Sequence, residues 1–238
     1  RIHTSIRYDV QQSVIDILNR YYETNTLNQI ENAAVYVLDY LNEEAVAYVG
    51  NIMHAKEAAM VDMVKAQRST GSILKPFLFA AMLDDGSLTT ERVLPDVPMS
   101  LSGFTPKNYS GEYWGAVSAR EALQNSLNAP FVYLLREYGQ QRFHALLKDL
   151  QLSGIVFDAE HYGLSLIVGG AEASLFDLVH AYGSMGRKLA AEVNEQFNEP
   201  VDENIVPFSA EAIAETFDVM LGLTRPTDQI GWGVFSSS

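Results

Sequence analysis

The 238 residues carry 16 Lys and Arg against 30 Asp and Glu, a net charge of −14, with 47% hydrophobic residues and no cysteine. That length suits one large domain, or one domain with a smaller attachment, and the apolar content a sizeable core. The acidic balance argues against a nucleic-acid surface and against electrostatic docking to anionic lipid. The missing cysteines exclude disulfides, thiolate catalysis and Cys-based zinc sites, and fit either redox compartment. No run of about 18 apolar residues predicts a transmembrane helix, and Arg1 to Val10 lacks the apolar centre of a signal peptide. The chain opens without Met, as a processed product or an excised piece would.

In chain order, Asp9 to Tyr22 reads as an amphipathic helix, with Val10, Val14, Ile17, Leu18 and Tyr21 on one face and Asp9 as its cap. Ala33 to Asp39 and Ala45 to Val49, separated by Leu41-Asn42-Glu43-Glu44, read as an antiparallel hairpin. The near-continuous apolarity of its first strand predicts a sheet covered by helices. No element is assigned from Asn51 to Gln67. Thr89 to Asn108 contains Pro95, Pro98, Gly103 and Pro106 and reads as irregular, more a site wall than a linker. Ser118-Ala119-Arg120-Glu121 is a capping box opening a helix to about Leu127. Pro130 restarts a helix that Gly139 ends. Further helices are predicted over Arg142 to Leu152, after Gly169-Gly170 towards Met185, and over Ser209 to Leu223 with Ser209 as cap. Ala190 to Glu203 is acidic and reads as a surface excursion.

The stretch that carries chemistry is Arg68 to Phe77, RSTGSILKPF. Ser72 and Lys75 are three apart, so a helix would set them on one face. A lysine held in a dry pocket loses proton affinity, and its neutral amine can take a serine proton. With 18 Ser and 6 Lys, about 0.45 such matches arise by chance, so context decides. Gly71 frees the backbone before Ser72. Pro76 is tolerated only in a first helical turn, which places Ser72 at a helix start. Leu74, Phe77, Leu78, Ala81 and Met82 follow at helical spacing, Ile73, Phe79 and Ala80 fill the other faces, and Asp84-Asp85-Gly86 stops the helix. The competing reading is a serine cap on a core helix with a snorkelling lysine.

Ser126-Leu127-Asn128 sits at the break between two predicted helices, where a hydroxyl and an amide can converge on a cleft. Alone the pattern reads better as turn chemistry, with Asn128 capping the next helix. The five histidines show no metal spacing, so no metal site is predicted. Glu172 reads as a packing or capping residue. Tyr109, Tyr113 and Trp114 suit a cleft wall or the core equally.

Taken together, these stretches resemble the penicillin-recognising serine transpeptidase family, most closely the transpeptidase domain of class A penicillin-binding proteins of the 1C type. The resemblance also runs through Asn32 to Gly50, Leu94 to Pro98, Val117 to Leu134 and Tyr162 to Ala181. It implies an α+β fold: an antiparallel sheet flanked by helices, with strands near 30–50, plus a helical lobe over about 70–190. The Ser72 helix would lie between them, with the cleft at its N-terminal end. It implies that Ser72 is acylated by the D-Ala-D-Ala end of a peptidoglycan stem peptide, with Lys75 as base, Ser126 as proton relay and Asn128 binding the substrate amide. β-Lactams would acylate the same serine. No cofactor and no nucleic acid are implied. The parent would work at the periplasmic face of the inner membrane, with a membrane anchor and a glycosyltransferase domain upstream, while the present stretch makes no membrane contact.

The family's third motif, Lys-Thr-Gly, does not occur, and the last lysine is Lys188. By resemblance the chain stops just before the strand that carries it and would leave a sheet edge open. A fragment so truncated is expected to acylate poorly or not at all. The alternatives are a non-catalytic β-lactam- or peptide-sensing module on the same fold, or an interaction domain in which Ser72 and Lys75 are incidental.

Overall fold

A computed structural model describes residues 3–27, 32–52, 60–101, 103–193 and 206–223. His54, the acidic stretch beyond 193 and the tail whose sheet edge was in question lie outside these residues. In chain order come α1 (Tyr8–Leu27), β1 (Val35–Asp39), β2 (Glu44–Val49), β3 (Arg68–Ser69) and α2 (Lys75–Asp84). Then follow β4 (Val93–Asp96), β5 (Gly115–Ser118), α3 (Ala119–Gln124), α4 (Asn128–Tyr138) and α5 (Gln140–Asp149). The last are α6 (Ala159–Tyr162), a 3₁₀ segment (Gly163–Val168), β6 (Glu172–Ala173), α7 (Leu175–Val193) and α8 (Ala210–Leu221). The fold is α+β, and the strands pair antiparallel as β1–β2, β3–β6 and β4–β5.

The predicted hairpin is present. Asp39 turns it, its carboxylate accepting from the N–H groups of Leu41 (3.1 Å) and Asn42 (3.3 Å), a local bond that competes with continued extension. Helix α1 covers β2, and the Gln11 side-chain amide mimics a strand partner: Nε2 donates to Tyr48 O (3.0 Å) while Oε1 accepts from Tyr48 N (2.8 Å). Helix α7 covers β1 at close range. A Cβ on Gly183 would sit 2.8 Å from Leu38 Cδ2, so a larger residue would push helix and strand apart.

Helix α2 is packed on every side, with Phe77, Leu78, Phe79, Ala80 and Met82 fully buried against surroundings that include α3, α4 and α8. Each large apolar side chain so buried contributes about 1.5–3 kcal/mol, so packing rather than intrinsic propensity holds this helix. Asp85 and Gly86 (φ +73°) end it as predicted. The Ser118 capping box, the Gly139 stop and the Ser209 cap are also found.

Several expectations are corrected. Thr89 to Asn108 is not wholly irregular, because β4 runs through Pro95 and pairs with β5. The prolines masked a two-stranded ribbon, where a residue lacking an N–H is tolerated on a free edge. Asp9 lies inside the first turn of α1 rather than capping it. Ile17 is 47% exposed, and the covered side of α1 runs instead through Gln11, Val14, Ile15 and Leu18. The helix assigned to Arg142 to Leu152 begins earlier and ends at Asp149.

Candidate active site

Helix α2 begins at Lys75, so Ser72 lies in the turn before it and not on the helix. That turn is a run of tight i to i+3 bonds, Ile73 N to Thr70 O and Lys75 N to Ser72 O, each 3.1 Å. Two neighbours hold it. From one side, Ser69 Oγ donates to Gly169 O (2.8 Å), and Thr70 N donates to Ala171 O (3.0 Å) beside the β3–β6 pair. Gly169 takes φ +105°, and a Cβ there would lie 3.1 Å from the Gly71 backbone, so this approach needs glycine. From the other side, the Tyr182 hydroxyl of α7 donates to Ile73 O (2.7 Å), with its ring 4.6 Å from that of Phe77. Ile73, expected inside, is 42% exposed.

The Ser126–Asn128 corner is a helix ending of a defined type. Ser126 N donates to Leu123 O and Leu127 N to Ala122 O, the paired bonds of a Schellman motif closing α3. The left-handed position belongs to Ser126 (φ +51°), where glycine is usual. A non-glycine residue there costs about 1–2 kcal/mol. The strain turns the Ser126 carbonyl and hydroxyl together towards Lys75.

Lys75 is 1% exposed, and its Nζ meets Ser126 O (2.6 Å), Asn128 Oδ1 (2.7 Å) and Ser126 Oγ (3.2 Å). The two motifs therefore meet through the lysine, across 51 and 53 positions of sequence. Burial pushes the Lys75 amine down to about 7. Both protonation states suit the cage. An ammonium donates to all three oxygens; a neutral amine donates to the two shorter partners and accepts from a rotated Ser126 hydroxyl. Ser72 Oγ makes no hydrogen bond among the described residues, with Lys75 or otherwise. Displaced from the helix face, it opens onto a pocket of about 490 Å³ shared with Lys75, Ser126, Leu123, Tyr182 and Met220.

Asn128 is the first residue of α4 rather than its cap, and it does not line that pocket. Its Nδ2 donates to Lys107 O (2.7 Å), so both ends of its amide are engaged. Tyr109 and Trp114 are exposed (81% and 52%), Tyr113 bonds to Pro106 O, and none of the three lines the pocket. Glu172 is exposed on β6. Among the described residues no group of three His, Cys, Asp or Glu side chains could hold a metal ion. Three contributors escaped the sequence reading: Tyr182, Asn108 and Asp96. Nothing but proximity to the motifs in space marks the first, whereas the other two lie in the segment taken as a site wall.

Residues 33–229 match the family model for the penicillin-binding protein transpeptidase domain. The chain belongs to that family. Over 156 residues it is 36% identical to penicillin-binding protein 1C of Escherichia coli, covering 65% of this chain and 20% of that protein. Over 158 residues it is 30% identical to penicillin-binding protein 1F of Bacillus subtilis, covering 66% and 21%. The chain thus spans about a fifth of the length of these relatives. The crystal structure of penicillin-binding protein 1A from Haemophilus influenzae aligns with a TM-score of 0.54 and 27% identity, over 65% of this chain and 23% of that one. The transpeptidase domain of Burkholderia pseudomallei penicillin-binding protein 3 shares the fold, with a TM-score of 0.75 at 16% identity over 94% and 70% of the two chains. Ser72, Lys75 and Ser126 line one pocket, and Asn128 bonds the lysine from outside it.

Proposed function

We propose that this domain is a peptidoglycan D,D-transpeptidase working through an acyl-enzyme on Ser72. The observation that carries the reading is Lys75: a buried amine, depressed to about 7, caged by the second motif and sharing a pocket with a serine that has no competing bond. A general base is most effective with a pKa near the working pH. In the proposed reaction Ser72 Oγ attacks the penultimate D-Ala carbonyl and gives its proton to Lys75 Nζ. Ser126 Oγ, bonded to that amine, passes a proton to the departing D-Ala nitrogen as the C–N bond breaks. An acceptor amine then attacks the ester, loses its proton to the same base and frees Ser72. Catalytic hydrogen bonds commonly tighten only in the Michaelis complex, which accommodates the unbonded Ser72. Asn128 holds a substrate amide by exchanging one of its present partners.

A β-lactam acylates Ser72 by the same attack, and a solved relative, PonA1 of Mycobacterium tuberculosis, is described in complex with penicillin V. The proposed setting is the periplasmic face of the inner membrane, with residues 1–238 forming part of one transpeptidase domain. The 238 residues contain no Lys-Thr-Gly. By resemblance a backbone N–H near that motif completes the oxyanion hole, and removal of one such donor slows the reaction by about 10²–10³, so this polypeptide is proposed to acylate slowly.

Intact-mass spectrometry with benzylpenicillin tests the reading. The wild-type chain should gain one penicillin slowly, and Ser72→Ala none. An adduct that persists in Ser72→Ala rejects the nucleophile, and no adduct after a day at millimolar penicillin rejects acylation by this polypeptide. Rapid stoichiometric labelling rejects the impairment.

A further inference from the structure

The corner that cages Lys75 is itself held from outside both motifs. Helix α4 has no cap of its own, since the residue before it, Leu127, has no side-chain acceptor. Its first two amides are served from the 97–114 loop: Asn108 Oδ1 accepts from Asn128 N (2.8 Å) and Ala129 N (3.4 Å). The other end of that amide is equally committed. Asn108 Nδ2 donates to both carboxylate oxygens of Asp96 (2.8 and 3.1 Å) and to Glu112 O (2.9 Å). Asp96 is fully buried, forms no ion pair among the described residues, and takes a further bond from Trp114 N (2.8 Å). The next backbone group along, Lys107 O, receives Asn128 Nδ2 (2.7 Å).

Placing a carboxylate in the interior without a cation is costly unless hydrogen bonds are aimed at it. Here the bonds have one structural output. The carboxylate can only accept, so it forces the Asn108 NH₂ towards itself and the Asn108 oxygen towards α4. A flipped amide would set oxygen against carboxylate and N–H against N–H. The orientation of Asn108 in turn fixes the start of α4, and with it Asn128 Oδ1 opposite Lys75 Nζ.

We propose that Asn108, oriented by Asp96, is a positioning residue of the transpeptidase site, a remote cap that locks Asn128 and hence the Lys75 amine. The role rests on the function proposed above, but its first test does not. Hydrogen exchange followed by NMR in the 238-residue chain reports the Asn128 and Ala129 amides, which the helix itself cannot protect. Asn108→Ala should speed their exchange by about tenfold, with the amides of Phe143 to Leu147 in α5 unchanged. Asn108→Asp and Asp96→Asn should each do the same, the first by opposing two carboxylates and the second by removing the bias on the Asn108 amide.

The reciprocal double variant Asp96→Asn/Asn108→Asp restores a donor facing an acceptor and should return exchange to within about threefold of wild type. Unchanged exchange in Asn108→Ala, equal acceleration throughout the chain, or no recovery in the double variant overturns the proposal. The second readout is penicillin acylation per folded molecule, which should fall by about tenfold in Asn108→Ala and recover in the swap. An unchanged rate there also overturns it. A chain that takes no penicillin at all would count against the acyl-enzyme reading and leave the exchange test decisive.

Discussion

Replacing Lys75 by methionine isolates the most consequential electrostatic feature of the molecule. The amine titrates near 7 in the folded chain because burial disfavours its charge, and near 10.4 when unfolded. Between those values the unfolded chain binds the extra proton, so unfolding becomes harder as pH rises. The penalty of holding an ammonium indoors is fully present below pH 7 and gone above about pH 10.4. At about 1.4 kcal/mol per pH unit the full window amounts to about 4–5 kcal/mol, and the three oxygens around Nζ offset part of that. Urea unfolding of wild type and Lys75→Met at intervals from pH 6 to 10 supplies the test. Subtracting the two curves cancels every other titrating group. Wild type should gain stability relative to the variant by at least about 2 kcal/mol across the range. A difference that stays flat with pH, or one that favours the variant more as pH rises, refutes the buried-amine argument.

Two further substitutions probe the supports of the site. Ser126→Gly should be more stable than Ser126→Ala by about 1 kcal/mol in urea unfolding, because only glycine relieves the left-handed backbone; equal stabilities would show that the corner is unstrained. Gly154→Ala should lower stability by about 2–4 kcal/mol, since the added carbon would lie 2.2 Å from Glu172 O and 2.3 Å from Gln67 Oε1. A thermal midpoint within a degree of wild type would mean that the β3–β6 joint yields freely.

What the sequence made legible was local. The Ser118 capping box, the Asp84-Asp85-Gly86 stop and the two apolar runs of the hairpin from Ala33 to Val49 each depend on neighbours within a few residues, and each was found. Boundaries near prolines fared worse. Pro76 was read as drawing Ser72 into the first turn, but the helix starts three residues later and the serine is left in the preceding turn. Pro95 hid a strand because the ribbon it belongs to depends on a partner some twenty residues away. The meeting of both motifs at Lys75 was expected only through resemblance. Asn108 was invisible, because an asparagine that caps a helix twenty residues downstream leaves no periodic or spacing signal. Tyr182 reads along α7 as one more apolar position, and only packing brings its hydroxyl to Ile73.

Helix α2 has a consequence that reaches past catalysis. A cylinder greasy all the way round has no single dry face, so its azimuth is set by the shapes of its side chains and by the polar contacts at its ends. Between Pro76 and Leu83 no polar side chain supplies such a contact. Lys75, locked to three oxygens at one end, and Asp84, whose Oδ1 accepts from Ser209 N (2.7 Å) at the other, are the two polar marks that fix the cylinder. By this reasoning the methionine variant, although relieved of a buried charge, should hold its aromatic rings less uniquely. A near-ultraviolet circular dichroism spectrum as intense as wild type would rule that out.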